Sequence, residues 1–234
     1  LLVAALADGE SQIYNCLECD DTRYMIDAIK NFGINVKKDN SKVIVQGCNG
    51  SPQCPEKKIY IGNAGTAMRF LCSFAALSRG ESIIDGNLRM RQRPLNDLIN
   101  GLSRLGVKAE SLNQNGCPPV KIKGGGIEGG ETLMNGDNSS QYFTSLLLSA
   151  PYAKKDVLIK VKGQLTSRPY IDLTIDVMKA FGVDVENNSY GSFAVKAGKG
   201  YKAREYEIES DVSSATYFFA VAAITGGRIR IEKL

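Results

Sequence analysis

A short polar step followed by an apolar run occurs three times at one interval, and that repetition restricts the chain to folds with threefold internal order. The steps are Gly62-Asn63-Ala64-Gly65-Thr66, Gly136-Asp137-Asn138-Ser139-Ser140 and Ser210-Asp211-Val212-Ser213-Ser214, and their first residues stand 74 positions apart both times. In each copy an Asn or Asp is second and a hydroxyl is fifth, the side chains that satisfy the orphan N–H groups of a helix start. Three like-built helix starts are predicted. Their N–H groups and positive dipole ends attract anions, so together they suit phosphates or carboxylates around one cleft.

A second periodic signal runs beside the first. Gly33, Gly106 and Gly182, 73 and 76 positions apart, each follow a segment with apolar residues at helical spacing: 21–30, 94–103 and 169–179. Pro94 and Pro169 suit a first helical turn, and the glycines suit the left-handed residue that closes a helix. After each glycine come two alternating stretches, 34–37 with 43–46, 107–109 with 120–123, and 183–185 with 193–196. These predict strands with one wet face. The polar steps then open helices over 66–77, 140–150 and 214–224, with strands after the first two at 82–85 and 157–160. Runs such as Tyr142-Phe143 with Leu146-Leu147-Leu148, and Tyr217-Phe218-Phe219, are apolar on nearly every side, which predicts burial.

Units that cannot hide their apolar faces alone must pack on one another. The expected fold class is therefore α/β (α+β), with three βαβαββ-type repeats, pseudo-threefold symmetry, buried helices and solvent-facing sheets. The repeats are placed at about 12–85, 86–160 and 161–207, forming one lobe over 1–207. Residues 208–234 read as a crossover and the start of something further. The opening Leu1–Ala7 run reads as helix interior without a cap, and 228–234 reads as a strand, so a piece of a longer protein is expected.

With 43% apolar residues among 234, the chain can bury a substantial core. Its 29 basic and 25 acidic residues are spread along the sequence, with no basic block of the kind that grips nucleic acid. No stretch approaches the ~20 apolar residues of a membrane span, and the opening run lacks the pattern of a signal peptide, so a cytoplasmic protein is expected. Six cysteines include Cys16-x-x-Cys19, which could join Cys48 and Cys54 around zinc. Neither pair lies in a tight Gly/Pro knuckle and the chain has no His, so the reading is reduced thiols and no metal.

Four clusters carry candidate chemistry. Around Gly62 and Gly65 the backbone can approach an anion closely, Asn63 and Thr66 offer polar side chains, and Arg69 follows one turn into the helix. Arg89, Arg91 and Arg93 crowd a helix entrance, where positive charge opposes the dipole. Bidentate binding of a carboxylate or phosphate explains that placement, with Arg93 the foremost candidate. Ser139, Ser140 and Gln141, and then Ser167 and Tyr170, set neutral donors at two further helix starts. With no His, acid–base work would fall to a shifted carboxylate or Lys, and none is singled out.

In order and spacing, Gly62 to Arg69, Arg89 to Pro94, Ser139-Ser140-Gln141 and Ser167-Arg168-Pro169-Tyr170-Ile171-Asp172 closely resemble the 5-enolpyruvylshikimate-3-phosphate synthase family. The likeness runs along nearly the whole chain but covers only one of that family's two three-repeat lobes. It implies transfer of the enolpyruvyl group of phosphoenolpyruvate to the 5-hydroxyl of shikimate 3-phosphate, with no metal or organic cofactor. The resemblance assigns Asn63, Gly65 and Arg93 to the phosphoenolpyruvate side and brings in glyphosate as a further ligand. It assigns Ser139, Ser140, Gln141, Ser167 and Tyr170 to the shikimate 3-phosphate side, with Gln141 between the two. Thr66, Arg69 and Asp211 support the cleft. Phe70 stands where many members have Pro, which bears on the helix angle and on glyphosate sensitivity. The family's Lys-Ser and Arg signature and the second lobe's proton-moving groups find no match, so the chain alone is expected to be catalytically silent. Two other readings are a non-catalytic lobe or half of a split enzyme, and the sister transferase acting on UDP-N-acetylglucosamine. The latter's reactive Cys has no counterpart near Arg89 to Arg93.

Overall fold

The computed structural model describes residues 1–39 and 42–232. Helix α1 (Leu2–Leu6) and strand β1 (Glu10–Tyr14) lead into α2 (Asp20–Asn31), β2 (Asn35–Asp39) and β3 (Lys42–Gln46). The next set is β4 (Ile59–Tyr60), α3 (Gly65–Ala76), β5 (Glu81–Asp85), α4 (Asn96–Arg104), β6 (Lys108–Ser111) and β7 (Val120–Lys123). The third is β8 (Gly130–Asn135), α5 (Ser140–Ser149), β9 (Val157–Lys162), α6 (Arg168–Ala180), β10 (Val185–Asn188) and β11 (Ser192–Val195). Strand β12 (Glu205–Glu207) and helix α7 (Val212–Thr225) follow. Gly33, Gly106 and Gly182 all adopt positive φ (81°, 85° and 89°) and close α2, α4 and α6 as the spacing predicts. Pro169 lies in the first turn of α6, but Pro94 stands before α4, which begins only at Asn96.

Three four-stranded sheets share one plan: a parallel pair at one edge, then two antiparallel neighbours. Their orders are β4-β5-β7-β6, β8-β9-β11-β10 and β12-β1-β3-β2. Among the described residues no strand precedes α1 in the sequence. The structure supplies one from the far end of the sequence, since β12 runs parallel to β1 with Gln12 opposite Glu205. The first sheet is thus stitched from both ends of the chain.

Helices α3 and α5 are buried over almost their whole surface, as their all-round apolar character requires. They meet through small polar groups: Ser73 and Ser145 share a 2.6 Å hydrogen bond, and Ser145 donates to the Arg69 carbonyl at 2.6 Å. All five residues of α1 are buried as well, giving three interior helices beneath three sheets. Helix α3 runs unbroken through Phe70.

Two expectations fail. Helix α7 is as apolar as α3 and α5, yet only Ala215 is buried, while Tyr217, Phe218, Val221 and Ile224 are exposed. The interior position that follows β12 in the repeat is already filled by α1, so α7 turns outward. The strand read at 228–234 does not form over 228–232, and residues 233–234 lie outside the described residues. Among the described residues no strand pairs with 228–232 to form a ladder.

Candidate functional site

The shared strand–turn–helix geometry points helix starts toward one face, where a polar cleft of about 990 Å³ opens. The first turns of six helices reach it: Asp21 from α2, Thr66 and Arg69 from α3, Asn96 and Asp97 from α4, Ser140 and Gln141 from α5, Tyr170 from α6 and Ser213 from α7. Each start brings unpaired N–H groups and the positive end of its dipole. The structure thus gathers the positive termini of α2, of both helices in the second and third repeats, and of α7.

How far those termini are already satisfied differs. Asp211 caps α7, accepting from Ser213 N at 2.9 Å and from Ser214 Oγ at 2.6 Å, and Ser139 caps α5 by accepting from Gln141 N. The first polar step departs from the expected capping, because α3 has Ala64 at its cap and no side-chain cap bond. Helices α4 and α6 also lack one. Ser167, the α6 cap, sits at φ +54°, a left-handed conformation that costs a non-glycine residue about 1–3 kcal/mol. A strained Ser at the mouth of an uncapped helix leaves its hydroxyl for something other than its own helix.

Two guanidiniums line the cleft. Arg69 is buried at 7% exposure, donates from Nη1 to the Gly65 carbonyl at 2.9 Å and lies over the Tyr142 ring at 5.5 Å. Its Nε has no hydrogen-bond partner, an open donor within the site. Arg93 donates weakly to the Asn63 carbonyl at 3.4 Å. Partial burial, and then the neighbouring charges of Arg69 and Arg89, push Arg93 below its ordinary range while leaving it cationic. A like-charged, partly desolvated pair is poised to take an anion, which would relieve both penalties. Tyr142 donates to the Pro94 carbonyl at 2.7 Å and so ties the Arg93–Pro94 turn to α5.

Of the residues read from sequence, Thr66, Arg69, Arg93, Ser139, Ser140, Gln141, Ser167, Tyr170 and Asp211 all line this cleft. Gln141 donates to Thr66 Oγ1 at 3.2 Å, linking the start of α5 to the start of α3. Asn63 and Gly65 do not line it but contact its rim through Arg93. Arg91 departs from the anion-binding reading of the arginine cluster. Its fork is taken by Asp85 inside the protein, with Nε to Oδ1 at 3.0 Å and Nη2 to Oδ2 at 2.6 Å.

The sequence reading missed Asp21, Asn96, Asp97, Asn138, Tyr142 and Thr166. A signal existed for Asp21, Asn96 and Asp97, which open α2 and α4. The emphasis on the three polar steps hid these two helix starts. Asn138 donates to Asp97 Oδ2 at 2.5 Å, and Asp211 is held below the usual carboxylate range chiefly by its bonds from Ser214. Both carboxylates therefore serve as acceptors in place. Beside the cleft an apolar hollow of about 520 Å³, lined by Leu2, Phe70, Leu173 and Phe181 among others, contains no Lys or Arg side chain and does not suit an anion. Among the described residues no group of three or more His, Cys, Asp or Glu is placed to hold a metal, and no helix is long and apolar enough to cross a membrane.

A lobe of three βαβαββ units, its helix starts and arginines facing one polar cleft, is the lobe architecture of the enolpyruvyl transferases. The match at the level of sequence is more specific. The chain belongs to the EPSP synthase (3-phosphoshikimate 1-carboxyvinyltransferase) family, whose model matches residues 1–234. It is 44% identical over 236 residues to the 3-phosphoshikimate 1-carboxyvinyltransferase of Sulfurovum sp. and 42% identical over 235 residues to that of Marinomonas sp.. Each alignment covers 99% of this chain and 55% of the relative, so the chain spans about half the length of these curated relatives. The fold is that of EPSP synthase from Acinetobacter baumannii, with TM-score 0.83 at 24% identity over 95% of this chain and 50% of that one.

Proposed function

We propose that this chain supplies the substrate-binding half of a site that transfers the enolpyruvyl group of phosphoenolpyruvate to the 5-hydroxyl of shikimate 3-phosphate. The observation that carries this reading is the convergence of six helix starts with Arg69 and Arg93 on one cleft. Arg93, with the uncapped start of α3 beside Asn63 and Gly65, takes the phosphoenolpyruvate side and offsets the charge that develops on the departing phosphate. Ser139, Ser140, Gln141, Ser167 and Tyr170 take shikimate 3-phosphate, whose phosphate finds hydroxyl and amide donors and whose ring hydroxyls find acceptors. Thr66, Arg69 and Asp211 hold the walls. Glyphosate, as a small anion, falls on the Arg93 side.

Residues 1–207 form the lobe in this reading, and 208–234 begin the crossover to a second lobe that covers α7 and closes the cleft. Two features support that division: the apolar, exposed surface of α7 and the greater length of the relatives. Of the cleft carboxylates, Asp97 and Asp211 are engaged as acceptors, and the proton-moving groups that the resemblance implies find no match in this chain. The isolated chain is therefore expected to bind without turnover. Its six free cysteines suit the reducing cytoplasm.

Isothermal titration with shikimate 3-phosphate, paired with a phosphate-release assay in the presence of phosphoenolpyruvate, tests this. Binding with no release is expected. Release by the chain alone contradicts the claim that proton chemistry lies elsewhere, and binding of UDP-N-acetylglucosamine in place of shikimate 3-phosphate contradicts the substrate assignment.

A further inference from the structure

The 85–93 segment carries three arginines, and only one of them is neutralised inside the protein. Asp85 is buried at 1% exposure at the end of β5 and receives the full fork of Arg91, the Lys58 ammonium and the Gly86 amide at 2.8 Å. From this anchor the chain makes a tight turn. Asn87 accepts from Met90 N at 2.9 Å, and its own amide donates to the Gly62 carbonyl at 2.9 Å. Arg93 N donates to the Met90 carbonyl at 3.0 Å. Arg91 and Arg93 thus leave the two ends of one short turn, the first pointing into the protein and the second over the start of α3.

Arg93 has little else to hold it. Among the described residues its guanidinium bonds only the Asn63 carbonyl, at 3.4 Å, and Arg69 and Arg89 each repel it more strongly than Asp21 attracts it. A mobile guanidinium among like charges would swing away from the cleft unless its backbone were fixed. The fork to Asp85 is the strong, directional contact that fixes it, since a bidentate guanidinium–carboxylate pair sets orientation as well as distance.

From this geometry we infer that Arg91 and Asp85 are positioning residues for the cleft: the buried Asp85–Arg91 fork sets the turn that presents Arg93 to the anion. This inference rests on the proposed reading of the cleft as the phosphoenolpyruvate side of the site. Arg91 touches no part of the cleft lining, so it acts only through the turn.

The test compares Arg91→Gln, which removes the fork, with Arg91→Lys, which keeps the charge without it, in the full chain. Arg91→Gln removes one partner of buried Asp85, so each variant is first shown to be folded by circular dichroism and urea unfolding; Lys58 and the Gly86 amide still bond Asp85. Phosphoenolpyruvate is titrated in the presence of shikimate 3-phosphate, in the wild-type and in the Arg93→Gln background. The inference predicts about a 10-fold loss of affinity from Arg91→Gln when Arg93 is present, a loss of several-fold from Arg91→Lys, and no further loss from either once Arg93 is Gln. Equal losses in both backgrounds, or full rescue by Lys, would show a long-range charge effect and overturn it. A second readout does not need the ligand: the Arg93 side-chain Nε–H resonance, sharp in the wild type, should broaden or shift in Arg91→Gln. An unchanged Arg93 signal overturns the inference even if phosphoenolpyruvate proves not to bind. Absence of binding with a displaced Arg93 signal instead counts against the functional reading alone.

Discussion

Gly65 is the position where fold and site can be separated by one methyl group. It opens α3 at an ordinary helical φ, so Ala is compatible with the backbone and gains up to about 0.5–1 kcal/mol of helix propensity. A Cβ built there, however, lies 2.7 Å from both Cζ and Nη2 of Arg93. Carbon atoms rest at about 3.5–4.0 Å, so the guanidinium must retreat by roughly 1 Å. The fold yields easily, because the obstructing atoms are the far end of a flexible, half-buried side chain. The cleft does not, because a retreat of that size breaks a charge-assisted hydrogen bond to any anion held there. Such a bond contributes about 1.5–3 kcal/mol, which corresponds to a loss of roughly 10- to 100-fold in affinity. Gly65→Ala is therefore expected to unfold at the same denaturant concentration as the parent or a slightly higher one, while phosphoenolpyruvate binding in the presence of shikimate 3-phosphate falls by that factor. Unchanged binding would refute the placement of Arg93 over the α3 start. A drop in the unfolding midpoint would refute the claim that the methyl is accommodated by Arg93 alone.

Other perturbations probe the scaffold. Asp85→Asn leaves Lys58 and Arg91, each nearly half exposed, facing a neutral group and should cost about 1.5–3 kcal/mol in urea unfolding. Burial alone would raise the Asp85 carboxyl, but bonds from Arg91, Lys58 and Gly86 outweigh it and hold it low. Its contribution is therefore complete above about pH 4 and disappears as pH falls through the lowered folded value, so the wild type should lose more stability than Asp85→Asn on acidification. The Tyr152 hydroxyl donates to the Leu6 carbonyl at 2.5 Å and accepts from Tyr201 N at 2.9 Å. Tyr152→Phe orphans Tyr201 N, while the Leu6 carbonyl keeps its bond from Gly50 N at 3.0 Å, and should cost about 1–2 kcal/mol by the same measurement. Burial pushes the Cys72 thiol up to about 12, so native-state alkylation monitored by mass spectrometry should modify exposed Cys19 and spare Cys72 until the chain unfolds.

Much of the architecture was legible because two periodicities coincide. Helix-closing glycines and polar steps recur at nearly the same spacing, so each element is predicted by three sequences at once. What the sequence hid is connectivity in space. Nothing local in Glu205-Tyr206-Glu207 announces a strand that crosses back to β1, and nothing in the apolar α7 announces that α1 occupies its interior position. Composition reports that a helix can be buried, while its place depends on which other segment reaches the slot. The cleft was legible for the same reason as the fold, since one helix start in each polar step carries it. The alternate starts at Asp21, Asn96 and Asp97 escaped because their first turns lack the repeated polar signature. The arginine cluster shows the limit of motif reading, because only packing against buried Asp85 distinguishes structural Arg91 from cleft-facing Arg93.

Everything functional in this account depends on one cleft receiving the helix starts of all three repeats. Backbone amide chemical-shift mapping during titration with shikimate 3-phosphate tests that most directly. The predicted result is a set of saturable shifts at Ser139, Ser140, Gln141, Ser167 and Tyr170, with weaker ones at Thr66 and Ser213, and none on the outer faces of the three sheets. Shifts centred on those sheets or on the apolar hollow beside Phe70, with the five named amides unmoved, would contradict it.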